Sequence, residues 1–340
     1  MVLGSLHLPI PMSPPATSRR TAGYKPALAW FAAIGSAWVF VLVMLGAFTT
    51  SIGAGMIFAD WPLSNGSLNP EGWLTDLAKF AEHSHRLSAG LMSLITIALA
   101  GWVWCVEARA WLRKLAWFAV GLVLVQAVVG GLRVLLEHHQ VEMINTSVGR
   151  LFAMLHACLA QIYVCTLLAV TLSLSRSWSG TTPAAGPGGA GLRRIARLCC
   201  GLLLVQLALA AVVRHSFAWQ SIPTFPLSTA DGGLFPAHWD FRVTVHFAHR
   251  VMALVLAGAL LWFAISIWRT REAGHRCRFL AGVMVNLLVL QIALGAAVIW
   301  TMRDPYYTTA HVIVGAGTLA TTFGLTWWVH RVAIEPVSTA

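Results

Sequence analysis

The amino-acid sequence predicts an all-α membrane protein with eight transmembrane helices, arranged as two parallel four-helix repeats. The first observation is composition: 58% of the 340 residues are hydrophobic and 10% are charged, whereas about 25% of an ordinary soluble domain is charged. The second is a series of eight long apolar runs, and the third is a histidine pattern that occurs in each half of the chain. We therefore expect lipid, and not water, to be the main solvent of this chain.

Eight apolar runs have the length of a membrane span. About 20 apolar residues in a helix cross a hydrocarbon core of about 30 Å. Residues 1–27, which are rich in proline, and residues 330–340 are predicted to be tails outside the membrane. The predicted spans occupy residues 28–50, 84–104, 111–134, 149–174, 194–214, 243–268, 278–300 and 307–329.

The distribution of charge predicts the orientation of the spans. The net charge is +11, and arginine and lysine are concentrated in the connections after spans 2, 4 and 6, whereas the opposite connections are acidic. By the positive-inside rule, the basic connections and both tails face the cytoplasm. The expected partner is therefore the lipid bilayer and no nucleic acid. The expected location is a bacterial plasma (inner) membrane, with the mitochondrial inner membrane as the alternative.

A segment rich in Gly, Ser and Pro, 176–192, is predicted to be a flexible cytoplasmic linker. It separates an N-terminal half, 28–175, from a C-terminal half, 193–329, with four spans each. A Gln-x-x-x-small pattern recurs in spans 3, 5 and 7, and small residues let helices approach closely. Because each half has an even number of spans, both halves share one orientation and should be related by an axis along the membrane normal.

Four histidines occupy repeated positions in the two halves, near the start of the second span and in the fourth span of each. They are His85, His156, His249 and His311. At about 1.5 Å per residue, all four are expected roughly 5–15 Å below the outer surface. Two imidazoles in each half would then face one another. A single membrane histidine often hydrogen-bonds between helices, and the matched depth of four favours a ligand site.

Imidazole binds iron, copper and zinc, so the surrounding residues must indicate which ligand applies. No sulfur or carboxylate cluster accompanies the four histidines in the sequence. Two histidines from separate helices among apolar and aromatic residues fit the axial positions of a heme iron better than a tetrahedral zinc site. A flat macrocycle also requires small neighbours. Candidates are Gly90, Gly130, Gly131, Gly295, Gly315 and Gly317.

The two halves differ three residues before the first histidine. Glu82 precedes His85, whereas His246 precedes His249. Residues three apart lie on nearly the same helical face. Beside a porphyrin, Glu82 is a candidate general acid or base, and the alternative is a solvated carboxylate at the bilayer interface.

Arginines follow both of these histidines directly. Arg86 and Arg250 are candidate contacts for heme propionates through charge-assisted hydrogen bonds, or they extend to the outer headgroups. Five other histidines lie near outer helix ends or loops, where we expect water to satisfy them. They are His83, His138, His139, His215 and His238.

These motifs resemble those of the heme A synthase family, membrane enzymes that convert heme O to heme A. The likeness covers all eight spans, with Glu82-x-x-His85-Arg86 as its most specific motif. It extends to the first outer loop, in which the Gly-rich segment 49–56 precedes Asp60-Trp61-Pro62. Some members of the family carry a cysteine pair in the outer loops, and this chain has none at 51–81 or 215–240.

The resemblance implies oxidation of the C8 methyl group of heme O to a formyl group by successive hydroxylations, which supplies heme A for cytochrome oxidase. It implies that His249 and His311 ligate the iron of a resident heme b that carries electrons, while His85 and His156 hold the substrate heme. Glu82 is then the catalytic carboxylate. The implied partners include the heme O synthase and an electron acceptor of the respiratory chain.

Two other classes of protein agree with part of the sequence. One is a b-type electron-transfer membrane cytochrome with two hemes and no porphyrin chemistry, and Glu82 is the residue that distinguishes it from an enzyme. The other is a transporter, because parallel repeats and intramembrane polar residues also occur there. The transporter is disfavoured because the histidines cluster towards the outer leaflet and the spans show no central breaks.

Overall fold

The computed structural model describes residues 21–142, 146–179 and 189–335. Within these ranges, eight helices are long and apolar enough to cross a membrane, which confirms the predicted all-α membrane fold. In chain order the elements are α1 (Pro26–Ser51), α2 (Leu77–Val106), α3 (Ala110–Leu135), β1 (Gln140–Val141), β2 (Thr146–Ser147), α4 (Val148–Leu174), α5 (Arg176–Ser179), α6 (Ala190–His215), α7 (Phe241–Arg269), α8 (Gly274–Trp300), α9 (Pro305–Val329) and α10 (Arg331–Ile334). Strands β1 and β2 form a short antiparallel hairpin.

Every predicted span lies inside one of the eight long helices. The largest difference is at α2, which begins at Leu77, seven residues before the predicted start. The polar segment 82–86 interrupts the apolar run but does not end the helix, because the helix start is set by a capping residue further upstream. Most of the predicted N-terminal tail and linker, 1–20 and 180–188, lies outside the described residues.

The four helices that carry the paired histidines all begin at a side-chain cap. The side chain of the N-cap residue accepts hydrogen bonds from backbone amides of the first turn in α2, α4, α7 and α9. Such a cap stabilises a helix by about 1 kcal/mol. Because the cap determines where each helix begins, it also determines the position of the histidine along it. The capping residues are Asp76, Ser147, Asp240 and Asp304.

Each group of four long helices builds its own apolar core. One buried cluster is formed by α1 to α4, with Ala320 of α9 added. The second is formed by α6 to α9, with Cys165 of α4 added. Helices α1, α4, α6 and α9 contact one another between the two clusters. The outer positions are therefore left to α2, α3, α7 and α8.

The outward faces of the long helices are apolar. Ile34, Leu94, Leu254 and Val289 are each more than 60% exposed. Large contiguous apolar surfaces are rare on monomeric soluble proteins. Lipid is the solvent that accommodates them, so this chain is a multi-pass membrane protein.

A polar cluster joins the C-terminal end of α2 to the start of α3 and to the end of the described chain. Glu107 is fully buried directly after α2, and Arg109 contacts its carboxylate at 3.0 Å. Arg109 also contacts Glu335 at 3.0 Å, near the end of the described chain. Burial by itself raises the pKa of Glu107, but the hydrogen bonds and charge of Arg109 outweigh it, so the pKa lies below its ordinary value. Glu107 is therefore an ionised partner in the cluster.

Candidate functional site

The four histidines lie at closely similar distances from the outer ends of their helices. His85, His156 and His249 each follow the first residue of their helix by eight positions, and His311 follows by six. At about 1.5 Å per residue, these positions are about 12 Å and about 9 Å along the helix axes. The capped helices therefore bring the four imidazoles to similar levels.

His156 is held against α3 by a reciprocal pair of hydrogen bonds with Gln126. Nδ1 of His156 lies 3.1 Å from the carbonyl oxygen of Gln126, and Nε2 of Gln126 donates to the carbonyl oxygen of His156 at 2.7 Å. Gly130 leaves space for the ring, since a Cβ there would lie 3.0 Å from Cε1 of His156. A carbonyl only accepts, so the proton sits on Nδ1. The lone pair on Nε2 is then available to a metal.

His311 repeats this arrangement on α8. Its Nδ1 lies 3.1 Å from the carbonyl oxygen of Gln291, and a Cβ on Gly295 would lie 3.1 Å from its Cε1. The side-chain nitrogen of Gln291 also lies 3.2 Å from Nε2 of His311. The amide therefore occupies the lone pair that a metal would take, and it must turn aside when a metal binds.

The other two histidines also pack on the helix that precedes their own. Nε2 of Gln206 in α6 donates to the carbonyl oxygen of His249 at 3.1 Å. His85 packs on α1, where a Cβ on Gly46 would lie 2.7 Å from its Cε1. The sequence prediction did not include Gly46. The signal that could have identified Gly46 is the Gln-x-x-x-small pattern of spans 3, 5 and 7. In that pattern a small residue lies opposite the histidine of the next span, and Gly46 has this position in span 1.

The structure brings the histidines together as one pair in each half. His85 and His156, the N-terminal pair, lie close enough to interact electrostatically, and so do His249 and His311, the C-terminal pair. Among the described residues, no three His, Cys, Asp or Glu side chains form a metal cluster. Two imidazoles are the number of ligands that the axial positions of a heme iron take, so each pair is compatible with the expected heme site, and ligation stays a prediction.

A buried ring nitrogen supports the fit to a heme. Nδ1 of His249 has no hydrogen-bond partner within the part of the chain that the structure describes, whereas the ring of His85 interacts with the backbone of Leu42. A buried polar atom without a partner costs about 1–3 kcal/mol. A ring that turns to bind iron with one nitrogen can bring the other to a new partner, so ligation offers a means of relieving this cost.

Glu82 is buried and fully engaged at the start of α2. It is 4% exposed, so the alternative of a solvated carboxylate is wrong. Oε2 accepts hydrogen bonds from the backbone amides of Ile57 at 2.7 Å and Phe58 at 3.2 Å. Oε1 contacts Nη2 of Arg86 at 2.5 Å. Glu82 therefore anchors outer loop 1, which we define as residues 52–76.

Arg86 holds the same loop through its backbone. Its guanidinium donates to the carbonyl oxygens of Asp60 at 2.7 Å and Phe58 at 3.0 Å. The ring of Trp61 lies over α3, where a Cβ on Gly131 would come within 2.5 Å of it. Outer loop 1 thus covers the outer end of the N-terminal pair. Arg86 is oriented towards this loop and not towards the lipid headgroups.

Asp60 fixes the turn of outer loop 1 that Arg86 binds. Its carboxylate accepts hydrogen bonds from the backbone amides of Asn65 and Gly66, each at 2.8 Å. Slight burial raises the pKa of Asp60, but these hydrogen bonds and the charge of Arg86 outweigh it, so the net pKa is lowered. Asp60 is therefore ionised at neutral pH and stabilises the turn.

The C-terminal half uses the same anchoring positions with a different residue. Nδ1 of His246 accepts a hydrogen bond from the backbone amide of Ile222 at 3.3 Å, as Glu82 does from Ile57. Arg250 donates to the carbonyl oxygen of Ile222 at 2.9 Å. The structure gives both arginines partners in their own loops, so a propionate contact would require either of them to exchange partners.

His83 differs from its sequence prediction. We expected water to satisfy it, but it is 2% exposed. Its ring nitrogens lie 3.0 Å from Oγ of Ser64 and 3.1 Å from the carbonyl oxygen of Leu68. The reason is that outer loop 1 folds over α2 and buries this turn of the helix.

These features define a class of protein: a multi-pass membrane protein with two matched histidine pairs beneath anchored outer loops. The chain belongs to the COX15-CtaA family, described as cytochrome oxidase assembly protein, which matches residues 29–323. The predicted family resemblance is thereby confirmed.

Three curated relatives, each named heme A synthase, are similar to this chain over most of its length. The Bacillus licheniformis protein is 28% identical over 282 residues, covering 81% of this chain and 86% of the relative. The Rhodospirillum centenum protein is 27% identical over 359 residues, covering 94% and 92%. The Geobacillus kaustophilus protein is 26% identical over 299 residues, covering 84% and 86%. These relatives also confirm the prediction of an oxidoreductase.

Proposed function

We propose that this protein oxidises the C8 methyl group of heme O to a formyl group by successive hydroxylations, and so supplies heme A for cytochrome oxidase. Family membership and the relatives named heme A synthase support this reaction. The structural observation that supports this reaction is a difference between two otherwise similar sites. Both halves hold a histidine pair, but only the N-terminal half has a carboxylate, Glu82, at the loop-anchoring position.

The proposed division of labour follows from this inequality. The N-terminal pair binds heme O, the substrate, and the C-terminal pair holds a resident heme b. When bound, heme b supplies one-electron transfer, which lets electrons leave the substrate site. The protein contributes orientation and electrostatics around each macrocycle.

The protein residues perform three tasks in this proposal. The hydrogen bonds from Nδ1 of His156 and His311 to backbone carbonyls fix the rings, so that Nε2 points to the ligand. Outer loop 1 excludes water from the N-terminal site. Glu82 is the candidate catalytic carboxylate, which would accept a proton as the methyl group is oxidised or position the oxygen donor. It accepts hydrogen bonds from Ile57, Phe58 and Arg86, so opening of outer loop 1 would make more of its lone pairs available.

The membrane setting of the proposal comes from charge. The basic connections after spans 2, 4 and 6 support cytoplasmic termini, and the bacterial relatives support a bacterial plasma membrane. The proposed partners are a heme O synthase, which delivers a poorly soluble substrate, and an electron acceptor of the respiratory chain.

A b-type electron-transfer cytochrome is the second candidate, and one observation favours it. His156 and His311 have the same hydrogen-bond geometry on α3 and α8, which is expected if both sites do the same task. An enzyme would alter the porphyrin chemically, whereas an electron carrier would leave it unaltered.

Expression of the chain in a host that makes heme O, but no heme A, separates the two candidates. We expect mass analysis of extracted pigments to find a formyl porphyrin. In Glu82→Ala this product should be lost, while the heme b of the C-terminal site remains in the reduced-minus-oxidised spectrum. Heme b without any formyl porphyrin from the unaltered chain would establish the cytochrome instead. Unchanged heme A production by Glu82→Ala would remove Glu82 from the catalytic role.

A further inference from the structure

Arg133 lies at the outer end of the N-terminal site, on the face of α3 that holds His156. It is in the last turn of α3, seven residues after Gln126 and three after Gly130, so the three residues share one side of the helix. Gln126 and Gly130 are the residues that position His156. Arg133 also interacts electrostatically with both members of the N-terminal pair. Its guanidinium is therefore within electrostatic range of both imidazoles.

Arg133 has no hydrogen bond or ion pair with any residue that the structure describes. The two nearby carboxylates, Glu82 and Glu137, are engaged elsewhere. Glu82 contacts Arg86 at 2.5 Å, and Glu137 contacts Arg150 at 3.4 Å. A half-buried cation without an ion-pair partner favours binding of an anion that the chain itself does not supply.

The surroundings of Arg133 add positive charge. Arg214 of α6 interacts electrostatically with both Arg133 and Arg303. Arg214 donates to the carbonyl oxygen of Ala47 at 2.7 Å, and Arg303 donates to that of Thr50 at 3.2 Å, both at the C-terminal end of α1. These two cations are thus stabilised by helix carbonyls. Arg133 has no such partner among the described residues.

Outer loop 1 is shaped around the Arg133 side chain. The loop passes the guanidinium at Gly55, which is buried, and a Cβ at this position would come within 3.0 Å of Nη1. Glycine therefore leaves space for the guanidinium where the loop crosses it. The corresponding position in α8, seven residues after Gln291, is Val298. The C-terminal site instead has Arg214 of α6 within electrostatic range of His311, and that guanidinium is bound to the carbonyl oxygen of Ala47.

We propose that Arg133 binds a propionate carboxylate of the substrate heme and thereby fixes the orientation of the macrocycle between His85 and His156. This inference rests on the function proposed above. The C8 methyl group and one propionate are carried by the same pyrrole ring, so a guanidinium that holds this propionate also positions the methyl group that reacts. A guanidinium binds a carboxylate through two parallel hydrogen bonds, which sets direction as well as affinity. Arg133 is in this sense a positioning residue.

The test compares heme O with its dimethyl ester, which cannot form an ion pair. The purified protein with its resident heme b is titrated with each compound, and absorption of the newly ligated iron reports binding. We expect the unaltered protein to prefer the free acid by about 10- to 100-fold, because hydrogen bonds to charged groups contribute on this scale. Arg133→Gln should bind the acid and the ester about equally, while its affinity for the ester is unchanged.

The matched control is Arg242→Gln, which removes an exposed cation from the first turn of α7 and leaves the carboxylates near Arg133 paired as they are. It should keep the preference of the unaltered protein. Arg133→Lys keeps the charge and loses the paired geometry, so its preference should be intermediate. Heme b content and the unfolding temperature verify that each variant is folded.

The outcomes separate this proposal from the proposed function. If Arg133→Gln keeps the full preference for the acid, Arg133 does not bind the propionate, although conversion of heme O still stands. If Arg133→Gln fails to fold, an unchanged preference in Arg133→Lys overturns the paired contact. If the unaltered protein neither binds nor converts heme O, the proposed function fails first.

Discussion

Alanine at position 46 places a methyl group where the imidazole of His85 now lies. The new Cβ would be 2.7 Å from Cε1 of His85, against about 3.5–4.0 Å for a relaxed contact between carbons. The ring must shift by about 1 Å, because α1 is fixed by its packing on α2, α4 and α9. Overpacking of this kind costs about 1–3 kcal/mol. We therefore expect Gly46→Ala to bind heme O about 5- to 150-fold more weakly.

Titration with heme O measures this loss of affinity, and the spectrum of heme b reports whether the C-terminal site is still occupied. Gly101→Ala is the control in α2, because a Cβ there meets no atom within 4 Å; it should retain heme O affinity and gain about 0.5–1 kcal/mol of helix stability. Gly295→Ala should instead weaken heme b, and by less, since its Cβ would lie 3.1 Å from Cε1 of His311. Equal heme O affinity in Gly46→Ala and Gly101→Ala would refute the packing argument.

Two further predictions concern ligation and stability. Alanine at either member of the C-terminal pair should remove heme b. Alanine at either member of the N-terminal pair should abolish turnover and leave most heme b in place. Equal loss of heme b in all four variants would contradict the division of labour. Glu107→Gln should lower the free energy of unfolding by about 1–3 kcal/mol, because Arg109 then keeps only Glu335 as a carboxylate partner. Thermal unfolding in detergent measures this loss, with the exposed Glu272→Gln as control. Because the pKa of Glu107 is lowered in the folded protein, its contribution to the free energy of unfolding is present above about pH 4.3 and is lost as the pH falls further. If the control Glu272→Gln loses as much stability as Glu107→Gln, the buried pair is unimportant.

The fold was predictable because its main cause is local. A run of apolar residues forms a helix in lipid, since only a helix or a closed barrel satisfies every backbone polar group there. All eight spans could therefore be located, and α2 was misjudged only at its start. There the cap at Asp76 determines the boundary, and five polar residues enter the helix beneath a loop that the hydropathy pattern does not show.

The histidine pairs could be predicted as candidates because helix geometry converts sequence position into depth. The contacts that surround these histidines could not be predicted from the sequence. His83 is buried beneath outer loop 1, and Glu82 and Arg86 hold that loop through backbone groups of Ile57 and Phe58. Such contacts join residues more than 20 positions apart, and backbone atoms carry no residue-specific signal in the sequence.

The sequence by itself determined the membrane class, the eight helices, the repeated histidines and the family resemblance, because periodicity, length and motif are local properties. Tertiary structure decided which groups are already engaged. Arg86 and Arg250 follow histidines in the sequence, yet their guanidiniums are bound to loop carbonyls. Arg133, which no motif singles out, lies within electrostatic range of His85 and His156 and has no ion-pair partner among the described residues. The physical reason is that a charge acquires its role from the atoms that surround it, and folding alone brings those atoms together.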